Sequence, residues 1–261
     1  MKRPKGPEYA SRMSSPRFLA RMHERIAAAC AGFLAAAAGA KEDQVRAAVA
    51  SFFDIYDERP IEDNSGGSGF NDCLLLYLTV HLLAPRLIVE SGVYKGQTSW
   101  ILRRAAPEAR ILAFDVELDQ RDHIDPSITY HGGDWLEVEV GEVDPATALC
   151  FFDDHINQAQ RVREAYDRGF RTLLFDDDFV AEALYATGHP PVPTISMLFD
   201  DELKPGDRIE WQRHGRRRHY VHDPADTHGA RELIASRHLA PDLTALTRYR
   251  PQSGLTVVKL T

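Results

Sequence analysis

Five short apolar runs, most of them spaced so that a helix fits between neighbours, constrain this chain more than any other feature. They are RLIVE (86–90), RILAFD (110–115), SITYH (127–131), ALCFF (148–152) and RTLLF (171–175). Their length and their β-branched and aromatic content read as strands. Near-continuous apolarity indicates strands covered on both faces, and alternation with helical stretches indicates βαβ units around a mostly parallel sheet. The connection NQAQRVREAYDRGF carries helix signals at both ends. Asn157 with Gln160 forms an N-terminal cap box, and Gly169 takes the left-handed position that closes the helix.

The expected fold is therefore α/β, a Rossmann-like doubly wound sheet. Residues 8–58 read as helices, PIEDNSGGSG as a flexible link, and FNDCLLLYLTVHLLAP as a helix stopped by Pro85. The domain plan has residues 1–84 as a helical segment packed on the core and 85–261 as the α/β domain, with an insertion at about 188–228. Within that insertion, DRIEWQR and RRRHYVHD around His214 and Gly215 predict a β-hairpin, and GLTVVKL a last strand.

A formal net charge of −8 argues against general nucleic-acid binding, because a phosphate backbone calls for a basic surface. Cys30, Cys73 and Cys150 are odd in number and set among apolar neighbours, which suits reduced, buried thiols in a cytoplasm. The stretch RIAAACAGFLAAAAGA begins late, lies behind charged residues and is mostly alanine, so a helix packed on the domain is expected rather than a secretory signal. No segment is long and apolar enough to predict a membrane span. A homo-oligomer is compatible with the sequence.

Ligands of an open α/β sheet sit outside the carboxyl ends of its strands. The first such end is LIVESGVYKGQTSW (87–100). Gly92 and Gly96 permit positive backbone dihedrals and a close ligand approach, and Thr98 or Ser99 is placed to cap the next helix. The spacing G-x-x-x-G is neither the dinucleotide fingerprint nor a P-loop. Acids end the neighbouring strands as well: Asp115, Asp134, and Asp153 with Asp154. Carboxylates repel phosphates but bind ribose hydroxyls, exocyclic amines and ammonium groups. A nucleoside with a cationic tail and no phosphate meets these terms, and S-adenosylmethionine is such a molecule.

The same residues resemble motif I of class I S-adenosylmethionine-dependent methyltransferases, in particular the metal-dependent macrocin O-methyltransferase and cephalosporin-hydroxylase-like group, whose turn has the form E-x-G-V-x-x-G. The resemblance spans about residues 86–180. It implies that Glu90, Gly92 and Gly96 wrap the methionine end, Asp115 the ribose hydroxyls, and Asp134 with Trp135 the adenine. The plainer readings are a simple strand-to-helix turn for the glycines, a turn residue for Asp134 and a core residue for Trp135.

FFDDH (151–155) and FDDD (175–178) bring five carboxylates to adjacent strand ends, an arrangement that needs a cation or protons to compensate it. Oxygen donors without cysteine favour Mg2+ or another hard divalent cation. The resemblance places the metal ligands at Asp154, Asp177 and Asp178, with a shift of one residue to Asp153 or Asp176 also open. Helix-capping acids on solvated loops are the plainer reading. His155 follows Asp154 directly and is a candidate to take the acceptor's proton, to orient the substrate or to bind the metal. Related catechol-type enzymes carry a lysine shortly after the metal aspartate, where this chain has Asn157. The basic run RHGRRRH (213–219) suits an anionic acceptor, or is simply a solvated hairpin tip.

The expected function is a metal-dependent O-methyltransferase acting on a small hydroxylated molecule. An NAD-type oxidoreductase is the alternative, since Asp115 lies roughly twenty residues beyond the glycine turn. A nucleoside-binding scaffold without chemistry is a third reading.

Overall fold

The computed structural model describes residues 15–186, 189–213 and 215–261. The chain begins with three helices, α1 (Pro16–Ala38), α2 (Glu42–Tyr56) and α3 (Phe70–Leu83). The alanine-rich stretch lies in α1 and packs inward through Ile26, Ala27, Cys30, Leu34 and Ala37. Residues Phe70 to Val80 of α3 are all buried except the half-buried Asp72, as befits a helix apolar on nearly every side. It ends at Ala84, just before Pro85. No helix among the described residues is long and apolar enough to cross a membrane, and the three cysteines are free and buried.

The α/β part follows as β1 (Leu87–Ser91), α4 (Gln97–Ala105), β2 (Arg110–Asp115), β3 (Thr129–Gly132), β4 (Ala148–Phe152), α5 (Gln158–Asp167) and β5 (Thr172–Phe175). Then come α6 (Ile195–Leu198), the hairpin strands β6 (Arg208–Arg213) and β7 (Arg216–Val221), α7 (Pro224–Leu233), β8 (Ile234–Leu239), α8 (Thr244–Thr247) and β9 (Thr256–Leu260). Seven strands form one sheet in the order β3-β2-β1-β4-β5-β9-β8, while β6 and β7 pair apart from it. The first five sheet strands run parallel and β9 runs antiparallel to β5 and β8. This is the Rossmann-like, doubly wound sheet expected, with N-terminal helices and a C-terminal hairpin.

Strand residues alternate between two cores, which explains the unbroken apolar runs. Ile88, Leu149, Phe151 and Leu174 face the core shared with α1–α4. Leu87, Val89, Cys150, Phe152 and Phe175 face the opposite core, which holds Ala159 and Val162 of α5 and Ala230 of α7. Asn157 caps α5 through the Gln160 amide at 3.0 Å, and Gly169 has φ +87. The chain builds outward from β1 to β3 and then returns to place β4 on the other flank of β1, so the strand order reverses between β1 and β4. A crevice at that reversal is where such sheets bind ligands.

Candidate active site

The turn after β1 is built by contacts within the chain. Gly92 and Gly96 have φ of +98 and +91. A Cβ on Gly92 would lie 2.3 Å from the Asp153 carbonyl oxygen, and one on Gly96 would lie 2.5 Å from that of His123. Both positions thus require glycine because the chain itself comes close, whatever else approaches. Asp115 at the end of β2 accepts from the Val93 and Tyr94 amides at 2.8 and 2.9 Å, and from the Glu117 amide at 2.8 Å. Its carboxylate therefore holds the turn in shape and keeps lone pairs beyond those the three amides use.

Thr98 and Ser99 do not cap α4. The helix starts at Gln97, directly after Gly96, so both hydroxyls lie within the first turn and point down at the strand end. Ser99 Oγ donates to Glu90 at 2.5 Å, and Thr98 also hydrogen-bonds to that carboxyl. Glu90 has no exposed surface, and among the described residues its Oε1 has no hydrogen-bond partner. Burial pushes its pKa up to about 7, with the two hydroxyls opposing the rise and Asp115 adding to it. Glu90 is thus a wholly buried acid beside the glycine turn with one oxygen unpaired among the described residues.

Arg161 of α5 decides the roles of the neighbouring acids. Only 1% of its side chain is exposed, yet it reaches Asp154 at 2.8 Å, Asp134 at 2.6 Å and Glu164 at 2.7 Å. Asp154 also accepts from Ser91 Oγ at 2.6 Å. These bonds occupy Asp154, and it is not one of the three residues whose ligand atoms gather closely enough to share an ion. Asp134 caps the short 3-10 turn Trp135–Glu137 by accepting from the Leu136 amide, and its other bonds go to Arg161. Burial raises its pKa, but Arg161 and the amide outweigh that and hold it below the usual range. The Trp135 side chain is wholly buried between Phe152 and Phe170 and is a core residue. Buried there, it leaves no open ring face on which an adenine could stack.

The acidic ends of β4 and β5 meet as expected, with different members facing each other. Asp153, Asp154, His155, Asp176 and Asp177 line one pocket together with Gln158 and Pro191. Ligand atoms of Asp153, His155 and Asp177 lie within 4.8 Å of one another. Asp178 points away: it accepts from Thr256 Oγ1 at 2.5 Å and the Ser196 amide at 2.6 Å, bracing β9 and α6. It is therefore a structural acid rather than a metal ligand. Asp176 accepts from Ser253, whose amide and hydroxyl also reach Asp72 of α3 at 2.8 and 3.0 Å. Burial raises the Asp153 and Asp176 pKa values well above the carboxylate range, and the surrounding aspartates raise them further. Burial likewise takes Asp72 to about 6.

Sequence reasoning missed Asp72, Ser253 and Arg161. Asp72 and Ser253 are separated by 181 residues and meet only in the fold. Arg161 carried a signal, since a charged residue four places after a helix cap and facing the sheet must find acids to pair with. The basic hairpin forms as read, with Arg216, Arg217 and Arg218 exposed on β7, while His214 lies outside the described residues.

No family model matches the chain, and no curated protein matches it in sequence. Solved structures do match. One is the O-methyltransferase TomG of Streptomyces achromogenes, involved in tomaymycin synthesis and in complex with SAM, at 16% identity over 92% of this chain and 98% of that one, TM-score 0.46. Another is an O-methyltransferase of Bacillus cereus in complex with SAH, at 12% identity over 88% and 96%, TM-score 0.46. A third is the SAH-bound methyltransferase PaMTH1 of Podospora anserina, at 15% identity over 81% and 88%, TM-score 0.46. Likeness of this degree assigns no activity to the present chain.

Proposed function

We propose that the chain is a class I S-adenosylmethionine-dependent O-methyltransferase in which a divalent cation assists the acceptor hydroxyl. One observation carries this reading: Glu90, Asp115 and Asp153 end three neighbouring parallel strands around a glycine turn that has no phosphate cradle, at the point where strand order reverses. Such a crevice repels a dinucleotide's phosphates and accepts a nucleoside carrying ammonium and sulfonium charge. In it Glu90 receives the ammonium on its free Oε1, and Asp115, already fixed by three amides, receives ribose hydroxyls. Asp134 stands at the adenine end of the crevice, held there by Arg161.

The donor set fits a cation, because the carboxylates around the Asp153 and Asp177 pair outnumber the cations that reach them. Arg161 is already shared among Asp154, Asp134 and Glu164. Asp153 and Asp177 would hold Mg2+ or another divalent ion. Such an ion, when bound, lowers the pKa of a hydroxyl beside it. In the transfer, the acceptor oxygen forms a bond to the methyl carbon as the carbon–sulfur bond breaks in line, its electrons returning to sulfur. The hydroxyl proton leaves to solvent, to which the pocket is open at the half-exposed His155. Arg216, Arg217 and Arg218 on the hairpin suit a small hydroxylated acceptor carrying a phosphate or carboxylate. A reduced, cytoplasmic protein fits the three free thiols.

Calorimetry with S-adenosylmethionine and with NAD, each with and without Mg2+, tests this reading. Binding of the methyl donor alone is expected, followed by transfer to hydroxylated acceptors that chelator or Asp177→Asn abolishes while the cofactor still binds. Tight NAD binding would make the chain an oxidoreductase. Nucleoside binding with no transfer to any acceptor would make it a scaffold, and full turnover in chelator would remove the cation from the mechanism.

A further inference from the structure

The donor set at the ends of β4 and β5 contains a nitrogen. His155 Nδ1 lies 3.2 Å from a carboxylate oxygen of Asp177. Two adjacent donors at right angles on one ion, with bonds of about 2.1–2.3 Å, are separated by roughly 3.0–3.2 Å. The farthest pair among Asp153, His155 and Asp177 is within 4.8 Å, against roughly 4.2–4.6 Å for donors on opposite sides of an ion with the same bond lengths. The three side chains are therefore close enough to share one ion, with His155 and Asp177 already at the spacing of adjacent donors.

The surroundings match this use. No described residue hydrogen-bonds to the Asp153 carboxylate, and the groups that act on it most strongly after burial are Asp176, Asp177 and Asp154, all acids. Glu90, whose Oε1 is buried without a partner among the described residues, also bears on Asp153. The imidazole is 39% exposed and the Asp177 side chain 19%, so the group opens to solvent on the histidine side and leaves coordination positions for water or substrate. The His189 ring, 4.9 Å from that of His155, packs on the same open side. Two carboxylates and an imidazole suit first-row transition ions, whereas Mg2+ prefers an all-oxygen octahedron and sheds its water reluctantly.

We infer that His155 is a ligand of the bound ion, not the base that takes the acceptor's proton, and that the centre takes a transition ion such as Mn2+, Fe2+ or Co2+ through a nitrogen that Mg2+ does not use. This rests on the proposed cation at Asp153 and Asp177 and adds to it the identity of the third donor and of the metal.

The test uses the metal-stripped full chain and its His155→Asn variant. Asparagine is chosen because His155 has φ 55, a left-handed conformation that asparagine tolerates best after glycine. Co2+ and Mg2+ affinities are measured by calorimetry, and pulsed electron resonance of the Mn2+ form looks for a directly bonded nitrogen. The expected result is a loss of at least about tenfold in Co2+ affinity in the variant with Mg2+ affinity little changed, and nitrogen modulation in the wild type that the variant lacks. If both ions bind with all-oxygen character and His155→Asn alters neither affinity, the inference falls while the metal-assisted function stands. If Asp153→Asn leaves Co2+ affinity unchanged, the ion lies elsewhere and the inference falls. If neither ion binds although S-adenosylmethionine does, the cation reading and this inference fail together.

Discussion

Replacing Glu90 with glutamine isolates a carboxyl that has no contact with solvent and sits against the turn after β1. Its pKa rises from 4.5 to about 7, burial being the main cause. An acid whose folded pKa exceeds its unfolded one binds its proton more tightly in the native state. Its contribution to stability is therefore full below 4.5 and is lost as pH rises through about 7. At 1.36 kcal/mol per pH unit the loss is about 3 kcal/mol. Glutamine keeps the shape and an acceptor oxygen for Ser99, and it does not titrate. Its unpaired amide adds a penalty that does not vary with pH. Urea unfolding of both proteins from about pH 5 to about pH 8 should therefore shift the stability difference by about 2.5 kcal/mol in favour of the variant as pH rises, the rest of the loss lying outside that window. A difference constant across that range would refute the buried, proton-holding state of Glu90. The cofactor offers a second readout: an ammonium placed on Oε1 ionises the carboxyl. Binding of S-adenosylmethionine near pH 6 should release protons in the wild type and none in Glu90→Gln, measured by calorimetry in buffers of different ionisation heat.

Asp115→Ala should weaken S-adenosylhomocysteine binding by about 1.5–3 kcal/mol, since a charged acceptor is lost and the Val93 and Tyr94 amides are set free; unchanged affinity in a folded variant would remove Asp115 from the cofactor site. Arg161→Met strands three carboxylates and should cost about 3–5 kcal/mol in chemical denaturation, with Arg161→Lys intermediate, and a loss below about 1 kcal/mol would mean that the buried network is solvated. Trp135→Phe should lower stability yet leave cofactor affinity intact, whereas a tenfold loss of affinity at unchanged stability would return the ring to the adenine. Neutralising Arg216, Arg217 and Arg218 should raise the Michaelis constant of an anionic acceptor alone; an equal fall in cofactor affinity would point to a disturbed fold.

The central parallel strands β1, β2, β4 and β5 were legible because both faces of the sheet are covered there, which imposes unbroken apolar runs on the chain, whereas the edge strand β3 buries none of its residues and was found from its β-branched and aromatic content. The α5 connection was legible because its caps are local chemistry: Asn157 and Gly169 act within a few residues of themselves. Strand β8 was not, since as an edge strand it alternates exposed and half-buried residues, and IASRHL lacks the apolar signature of its neighbours. The candidate site divides in the same way. That acids crowd the ends of β1, β2, β4 and β5 follows from sequence, because strand ends can be counted. Which aspartate faces which depends on side-chain direction at a strand-to-loop junction, where one residue's rotation exchanges pocket for core. At His155 and Asp177 the backbone takes left-handed φ values of 55 and 56, which no periodicity foretells for residues other than glycine. Arg161, arriving from α5, occupies Asp154; Thr256 and the Ser196 amide take up Asp178; Ser253 joins Asp72 to Asp176 across most of the chain's length. Partners as distant as Asp72 and Ser253, or Asp178 and Thr256, are chosen by packing alone. The sequence by itself determined that acids and a glycine turn would meet at one edge of a parallel sheet, and only the tertiary structure decided that Asp153, His155 and Asp177 would face one another there.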